Sequence, residues 1–121
     1  MTKRILIVED TEDNRQILRD LLTAAGYELL EATDGEEGIA MAARHHPDLI
    51  LMDIQLPRLD GYEATRRIKG NQALKDIPIV AVTSYALSGD EEKTRAAGCD
   101  GYIAKPFSPR QLLGKVRELI D

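Results

Sequence analysis

Asp48-Leu49-Ile50-Leu51-Met52-Asp53-Ile54-Gln55-Leu56-Pro57 is the stretch whose reading decides the fold. Leu49 to Met52 form an unbroken apolar run, too short for an isolated helix and suited to a strand buried on both faces. The run stops at Asp53. A lone buried carboxylate is costly, so Asp53 must meet a cation, a metal or water there. In an open parallel sheet the carboxyl ends of strands are where chemistry collects.

Upstream, the pattern repeats. Arg4 to Glu9 reads as a first buried strand, with Ile5 to Val8 leading into Glu9 and Asp10. Thr11 to Asp13 supply N-caps for a helix reaching about Ala25. Ile17, Leu18, Leu21 and Leu22 make its inner face, with Arg15, Arg19 and Asp20 largely outside. Gly26 terminates it. Glu28 to Thr33 reads as a second strand, polar enough for an edge. Asp34-Gly35 turns the chain into a helix over 36–44, with Ile39, Ala40, Ala42 and Ala43 inward and Gly38 out of character. His45, His46 and Pro47 end that helix.

Downstream, Leu56 to Gly61 is a loop and Tyr62 to Lys69 a short helix with Ala64, Thr65 and Ile68 inward. Gly70 to Asp76 is a polar connection. Ile77 to Val82 reads as a fourth strand leading into Thr83 and Ser84. Residues 89–98 are helical in composition but poor in large apolar side chains, so their hold on the core should be weak. Gly101 to Ala104 is a fifth strand, followed by Lys105 and Pro106. A last helix starts near Ser108 or Pro109, with Leu112, Leu113, Val116, Leu119 and Ile120 inward. Five strand–helix alternations in 121 residues call for an α/β fold, a parallel sheet covered by helices on both faces. The expectation is a single domain over 1–121, a doubly wound (βα)5 sheet in the order 2-1-3-4-5.

The net charge of −5, with basic residues scattered, argues against bulk nucleic-acid binding. One cysteine, Cys99, excludes an intrachain disulfide and fits a reducing compartment. No apolar segment is long enough for a signal or a membrane span, so a cytoplasmic chain without membrane insertion is expected.

If the strands are parallel, Glu9/Asp10, Asp53, Thr83/Ser84 and Lys105 share one edge of the sheet. Packed carboxylates repel unless a cation intervenes, and Mg²⁺ is the common hard ion at phosphoryl sites. The set then suits phosphoryl transfer. Asp53 attacks phosphorus in line, with Glu9, Asp10, Asp53 and the Gln55 backbone carbonyl around Mg²⁺. Lys105 pairs with one phosphoryl oxygen and Thr83 donates to another. Singly, each has a plainer reading. Asp10 and Asp34 suit helix caps and Lys105 a solvated lysine. His45/His46 suit a surface helix end, and Cys99 a small filler. Only the joint placement at strand ends raises the chemical reading above these.

The chain resembles the response-regulator receiver domains of two-component phosphorelays over nearly its whole length. The motifs that carry the likeness are Ile5-Leu6-Ile7-Val8-Glu9-Asp10, the segment from Asp48 to Gly61, Val82-Thr83, and Tyr102-Ile103-Ala104-Lys105-Pro106. It looks particularly similar to single-domain regulators of bacterial cell division and polarity. The resemblance implies that Asp53 is the phosphoacceptor, that Thr83 and Tyr102 form the switch, and that the Lys105–Pro106 bond is cis. It implies a sensor histidine kinase or histidine phosphotransfer protein as donor. A downstream protein target would be met through the 85–110 surface, and a phosphorylation-dependent homodimer could form through the same face. The protein would then be a switch that modifies itself, not a turnover enzyme on an external substrate. Glu9 departs from the commoner aspartate, and its extra methylene suggests a water-mediated contact with the metal, leaving Asp10 the closer ligand.

Three rivals share parts of this pattern. A receiver cut from a hybrid histidine kinase or longer regulator has the same chemistry. A degenerate receiver acting only as a binding module is opposed by the intact acidic, threonine and lysine set. An aspartyl phosphatase would need a general acid two residues beyond the nucleophile, where Gln55 stands, and a cap insertion. In the family, the positions of Gln55 and Tyr85 tune dephosphorylation by controlling attack of water. A bulky Tyr85 should shield the acyl phosphate and slow its hydrolysis. Phosphoprotein half-lives of wild type and Tyr85→Ala measure this: the variant is expected to decay faster, and equal half-lives would refute the shielding role.

Overall fold

The structure is a computed structural model that describes residues 2–83 and 90–120. The strands are β1 (Arg4–Val8), β2 (Glu28–Ala32), β3 (Leu49–Asp53), β4 (Ile79–Thr83) and β5 (Gly101–Ala104). The helices are α1 (Glu12–Ala24), α2 (Gly35–His45), α3 (Gly61–Lys69), α4 (Asp90–Ala97) and α5 (Pro109–Ile120). All strand pairs are parallel, and the order is β2-β1-β3-β4-β5, as the alternation requires.

Side chains alternate along a strand, so each central strand feeds two cores. Leu6, Val8, Ile50, Met52 and Ile79 pack with Ala42, Ala64 and Ile68 of α2 and α3. Ile5, Ile7, Leu49, Leu51, Val80, Val82 and Ile103 pack with Leu18, Leu22, Leu112 and Val116 of α1 and α5. The same parity governs the polar ends. Asp53 continues the row of Leu49 and Leu51, Glu9 that of Ile5 and Ile7, and Lys105 that of Ile103. Val8 pairs with Met52, so one step further Glu9 stands beside Asp53.

Several expectations need correcting. Ile17 is 54% exposed and not part of the inner face of α1, which is built on Leu18 and Leu22. Ala40 and Ala43 are exposed, whereas Gly38 is buried against β1: a Cβ there would lie 2.8 Å from Val8 Cγ2. Gly38 is therefore what lets α2 approach the sheet. The fourth strand starts at Ile79, not Ile77; Ile77 instead plugs the lower core with Leu74. Pro78 contributes only its carbonyl to the ladder, accepting from Ile50 N at 2.9 Å.

Caps follow the polar residues at helix starts. Asp34 Oδ1 accepts from Glu37 N at 2.8 Å, which makes the plainer reading of Asp34 the correct one. Asp60 Oδ1 caps α3 through Glu63 N at 2.9 Å. Ser108 and Gln111 form a reciprocal capping box on α5, with Pro109 as its first residue. His46 ends α2 in the left-handed region (φ 49°), its Nε2 2.8 Å from Ala73 O, so the adjacent histidines mark a helix end.

Helix α4 is held differently from the others. Its buried described side chains are Thr94 and Ala97, and no large apolar group lies among them. The turn that follows it is fastened by Lys69, whose Nζ donates to Lys75 O (3.1 Å), Ile77 O (2.8 Å) and Asp100 Oδ2 (2.8 Å). Asp100 Oδ2 also accepts from Ile79 N at 2.9 Å. Cys99 is half-buried there with its Sγ 3.8 Å from Thr65 Oγ1, and burial pushes its thiol up to about 11, the behaviour of a filler. Among the described residues, no helix is long and apolar enough to cross a membrane.

Candidate functional site

Three carboxylates meet where β1 and β3 end. Glu9 and Asp53 are buried at 2% and 4% exposure, and Asp10 is exposed at the rim. One oxygen from each lies within 4.8 Å of the others. Asp53 is fixed from its own loop: Oδ1 accepts from Gln55 N at 3.0 Å. The loop can fold back because Gly61 lies flush against it. Gly61 N donates to Ile54 O at 3.0 Å, and a Cβ on Gly61 would fall 2.7 Å from Ile54 Cα.

Lys105 supplies the counter-charge. Its Nζ lies 3.0 Å from Glu9 Oε1 and 3.5 Å from Asp53 Oδ2. The lysine comes from the far side of β4, and its backbone N is anchored to Thr83 O at 2.7 Å. Thr83 is fully buried at the end of β4. Tyr102 is half-buried on β5, paired in register with Ala81. The expected cis peptide at Lys105–Pro106 is present. Tyr85 lies outside the described residues.

The electrostatics separate the carboxylates. Burial alone would raise Glu9, but hydrogen bonds from Thr11 N (3.1 Å), Thr11 Oγ1 (2.8 Å) and Lys105 lower it to about 2. Asp53 goes the other way. Desolvation, with the Glu9 charge added, outweighs the Gln55 N–H and Lys105 and pushes it up to about 6. Asp10 is raised by partial desolvation and by contact with Glu9. Glu9 is thus already bonded directly to protein donors, while Asp10 faces an open cleft of about 540 Å³ that is also lined by Gln55 and Asp60.

The donor set fits Mg²⁺. All candidate ligands are hard oxygens, and one oxygen from each carboxylate lies within 4.8 Å of the others, near enough for a single small cation with oxygen ligands to reach all three. A divalent ion there would offset the desolvation, and the added Glu9 charge, that raise Asp53 and Asp10. Two neighbouring residues do work that helical periodicity does not predict. Thr11 precedes α1 as its N-cap residue, but makes no side-chain cap bond; its hydroxyl donates to Glu9. Arg15, expected on the outer face, has Nη1 2.8 Å from Glu9 O. The polar run from Thr11 to Arg15 was the only signal, and periodicity does not show which way such side chains turn.

The Asp53 shift has a measurable consequence. The folded state favours protonated Asp53, so its contribution to stability is fully present below the ordinary carboxylate pKa near 4 and is lost as pH rises through about 6. In chelator at pH 7.5, Asp53→Asn is expected to stabilise the protein by about 3 kcal/mol. That gain should shrink towards zero at pH 4, and at pH 7.5 on adding Mg²⁺. Urea midpoints of both proteins under these three conditions check this; an equal gain at both pH values would contradict the assigned shift.

The comparisons with known proteins agree with this geometry. Residues 5–117 match the model of the response regulator receiver domain. The chain is 46% identical over 120 residues to the polar-differentiation response regulator DivK of Brucella ovis, covering 99% of this chain and 98% of that protein. The receiver domain of a sensor histidine kinase from Pseudomonas aeruginosa PAO1, with a magnesium ion coordinated in its active-site cleft, superimposes with a TM-score of 0.92. It is 38% identical, over 99% of this chain and 98% of that one. A response regulator from Chloroflexus aurantiacus gives a TM-score of 0.95 at 31% identity, covering 99% and 98%. Members of this family act as self-modifying phosphorylation switches, not as enzymes on external substrates, and use Mg²⁺. With the sheet order, the paired carboxylates at the ends of β1 and β3 and these matches in hand, the chain belongs to the response-regulator receiver domain family.

Proposed function

We propose that the protein is a cytoplasmic signalling switch that takes a phosphoryl group from a partner phosphohistidine onto Asp53. The observation that carries this reading is the convergence of Asp53 with Glu9, Asp10 and Lys105 at one sheet edge. A bound Mg²⁺ supplies charge neutralisation at the transferring phosphoryl oxygens. Glu9, Asp10, Asp53 and the Gln55 carbonyl are the groups that would hold it. Asp53 attacks in line; the oxygen–phosphorus bond forms as the nitrogen–phosphorus bond to the donor histidine breaks. Lys105 leaves its carboxylate partners to pair with a phosphoryl oxygen, and Thr83 donates to another. Displacement of Thr83 then lets Tyr102 turn inward and alters the surface over residues 85–110. Phosphorylation shifts this equilibrium only by its unequal interaction with the two forms.

The donor is a sensor histidine kinase or a histidine phosphotransfer protein. An apolar groove of about 340 Å³ lies beside the acceptor, lined by Ile17, Leu18, Pro106 and Phe107 together with Glu9 and Lys105. The exposed Ile17 at this groove, next to the Glu9 and Lys105 that flank Asp53, supports docking of the donor protein there. The likeness to DivK over nearly its whole length supports a regulator that acts through protein contacts, with a target, or a second copy after phosphorylation, on the 85–110 face. The likeness to a kinase receiver supports a second reading with the same chemistry, a relay step within a larger kinase.

Incubation with Mg²⁺ and acetyl phosphate, followed by intact-mass measurement, tests the acceptor. A gain of one phosphate that disappears in Asp53→Asn is expected; no gain in wild type from either acetyl phosphate or a phosphorylated histidine protein would leave only a binding module. Ile17→Glu should slow transfer from a phosphorylated histidine protein about tenfold. It should leave the acetyl phosphate rate unchanged, and equal slowing with both donors would argue against the groove as the docking site.

A further inference from the structure

The chain leaves the sheet between the candidate metal ligands. Glu9 N still pairs with β2, donating to Ala32 O at 3.0 Å. β2 stops at Ala32, so the Glu9 carbonyl has no next residue of that strand to accept from. Arg15 takes its place: Nη1 donates to Glu9 O at 2.8 Å. The guanidinium is itself held from two elements, by Glu12 Oε2 on α1 at 2.6 Å and by Glu31 Oε1 on β2 at 3.4 Å. Its side chain is only 12% exposed. Arg19 completes the ion network, reaching Glu31 at 2.8 Å and Glu12 at 3.2 Å.

The carbonyl that Arg15 holds belongs to the peptide joining Glu9 to Asp10. That peptide is planar, so holding its carbonyl restrains ψ of Glu9 and φ of Asp10, the two torsions that orient these side chains relative to each other. We propose that Arg15 is a positioning residue for the divalent-cation site: by fixing the Glu9–Asp10 peptide it presets the spacing of Glu9, Asp10 and Asp53. The inference rests on the reading of these carboxylates as Mg²⁺ ligands. Partners in the shell behind metal ligands contribute about 10- to 100-fold to metal affinity when they orient the ligands.

The direction of the effect separates positioning from charge. A guanidinium near a cation site repels the cation, so removing it would by Coulomb's law tighten binding. Loss of positioning weakens it. Calorimetric titration of Mg²⁺ into wild type, Arg15→Met, Arg15→Lys and Arg19→Met distinguishes the two. Arg15→Met is expected to bind Mg²⁺ about tenfold more weakly. In the metal-free protein, hydrogen exchange over residues 9–11 should be faster in that variant. Arg15→Lys, which keeps the charge and one donor, should fall in between. Arg19→Met cuts the same ion network away from the Glu9 carbonyl and should bind like wild type.

Unchanged or tighter binding in Arg15→Met overturns the proposal, as does an equal loss in Arg19→Met. If Arg15→Met fails to fold, Arg15→Lys decides at constant charge, and wild-type affinity there overturns it. A wild type that binds no Mg²⁺ removes the cation-site reading together with this inference. A wild type that binds normally while the Arg15 variants match it removes this inference alone.

Discussion

The energetic constraint on this chain is the placement of two buried carboxylates side by side at the ends of its two central strands. Glu9 and Asp53 cannot both ionise cheaply in that position, and the protein divides the cost unequally. Thr11 and Lys105 secure the charge on Glu9, and Asp53 is left with a pKa near that of a histidine. The rest of the architecture serves this arrangement. Parallel pairing of β1 with β3 brings the carboxylates abreast. The flush packing of Gly61 turns the loop after β3 so that Gln55 N meets Asp53. The long side chain of Lys105 lets a positive charge from the end of β5 reach past β4 to Glu9 and Asp53.

Much of this was legible in the sequence because strands buried on both faces leave an unmistakable trace. Ile5 to Val8, Leu49 to Met52 and Ile79 to Val82 are continuous apolar runs ending in polar groups, and parallel order follows from helices between them. The acidic pair, Asp53, Thr83 and Lys105 fell at strand ends by counting alone. Where counting failed, the cause was contact across elements. Ile77 looks like strand, but its side chain serves the floor of the core. Ile17 keeps helical spacing with Leu18 and Leu21, yet stands one position too far round the helix to reach the sheet.

The misread glycine and arginine have the same origin. Gly38 is an anomaly to helix propensity and a necessity to packing, because the distance between α2 and Val8 is a property of the assembled pair. Arg15 belongs to the polar face of α1 by periodicity, but its long side chain bends back to the end of β1. A flexible cation can be credited to any of several partners until the backbone around it is known, and the ion pairs with Glu12 and Glu31 leave it little freedom to choose otherwise.

The fastening of α4 has a mechanical consequence. The helix is eight residues long and bears only small side chains among its described buried groups, while the turn at its carboxyl end is tied down by Lys69 and Asp100. A rod secured at one end behaves as a lever with its fulcrum there. Eight residues span about 12 Å, so a tilt of about 10° about the Asp100 anchor displaces the opposite end by about 2 Å. That far end is the one nearer Thr83 along the chain, so a tilt about the Asp100 anchor would move the first turn most while the last turn keeps its place beside the sheet.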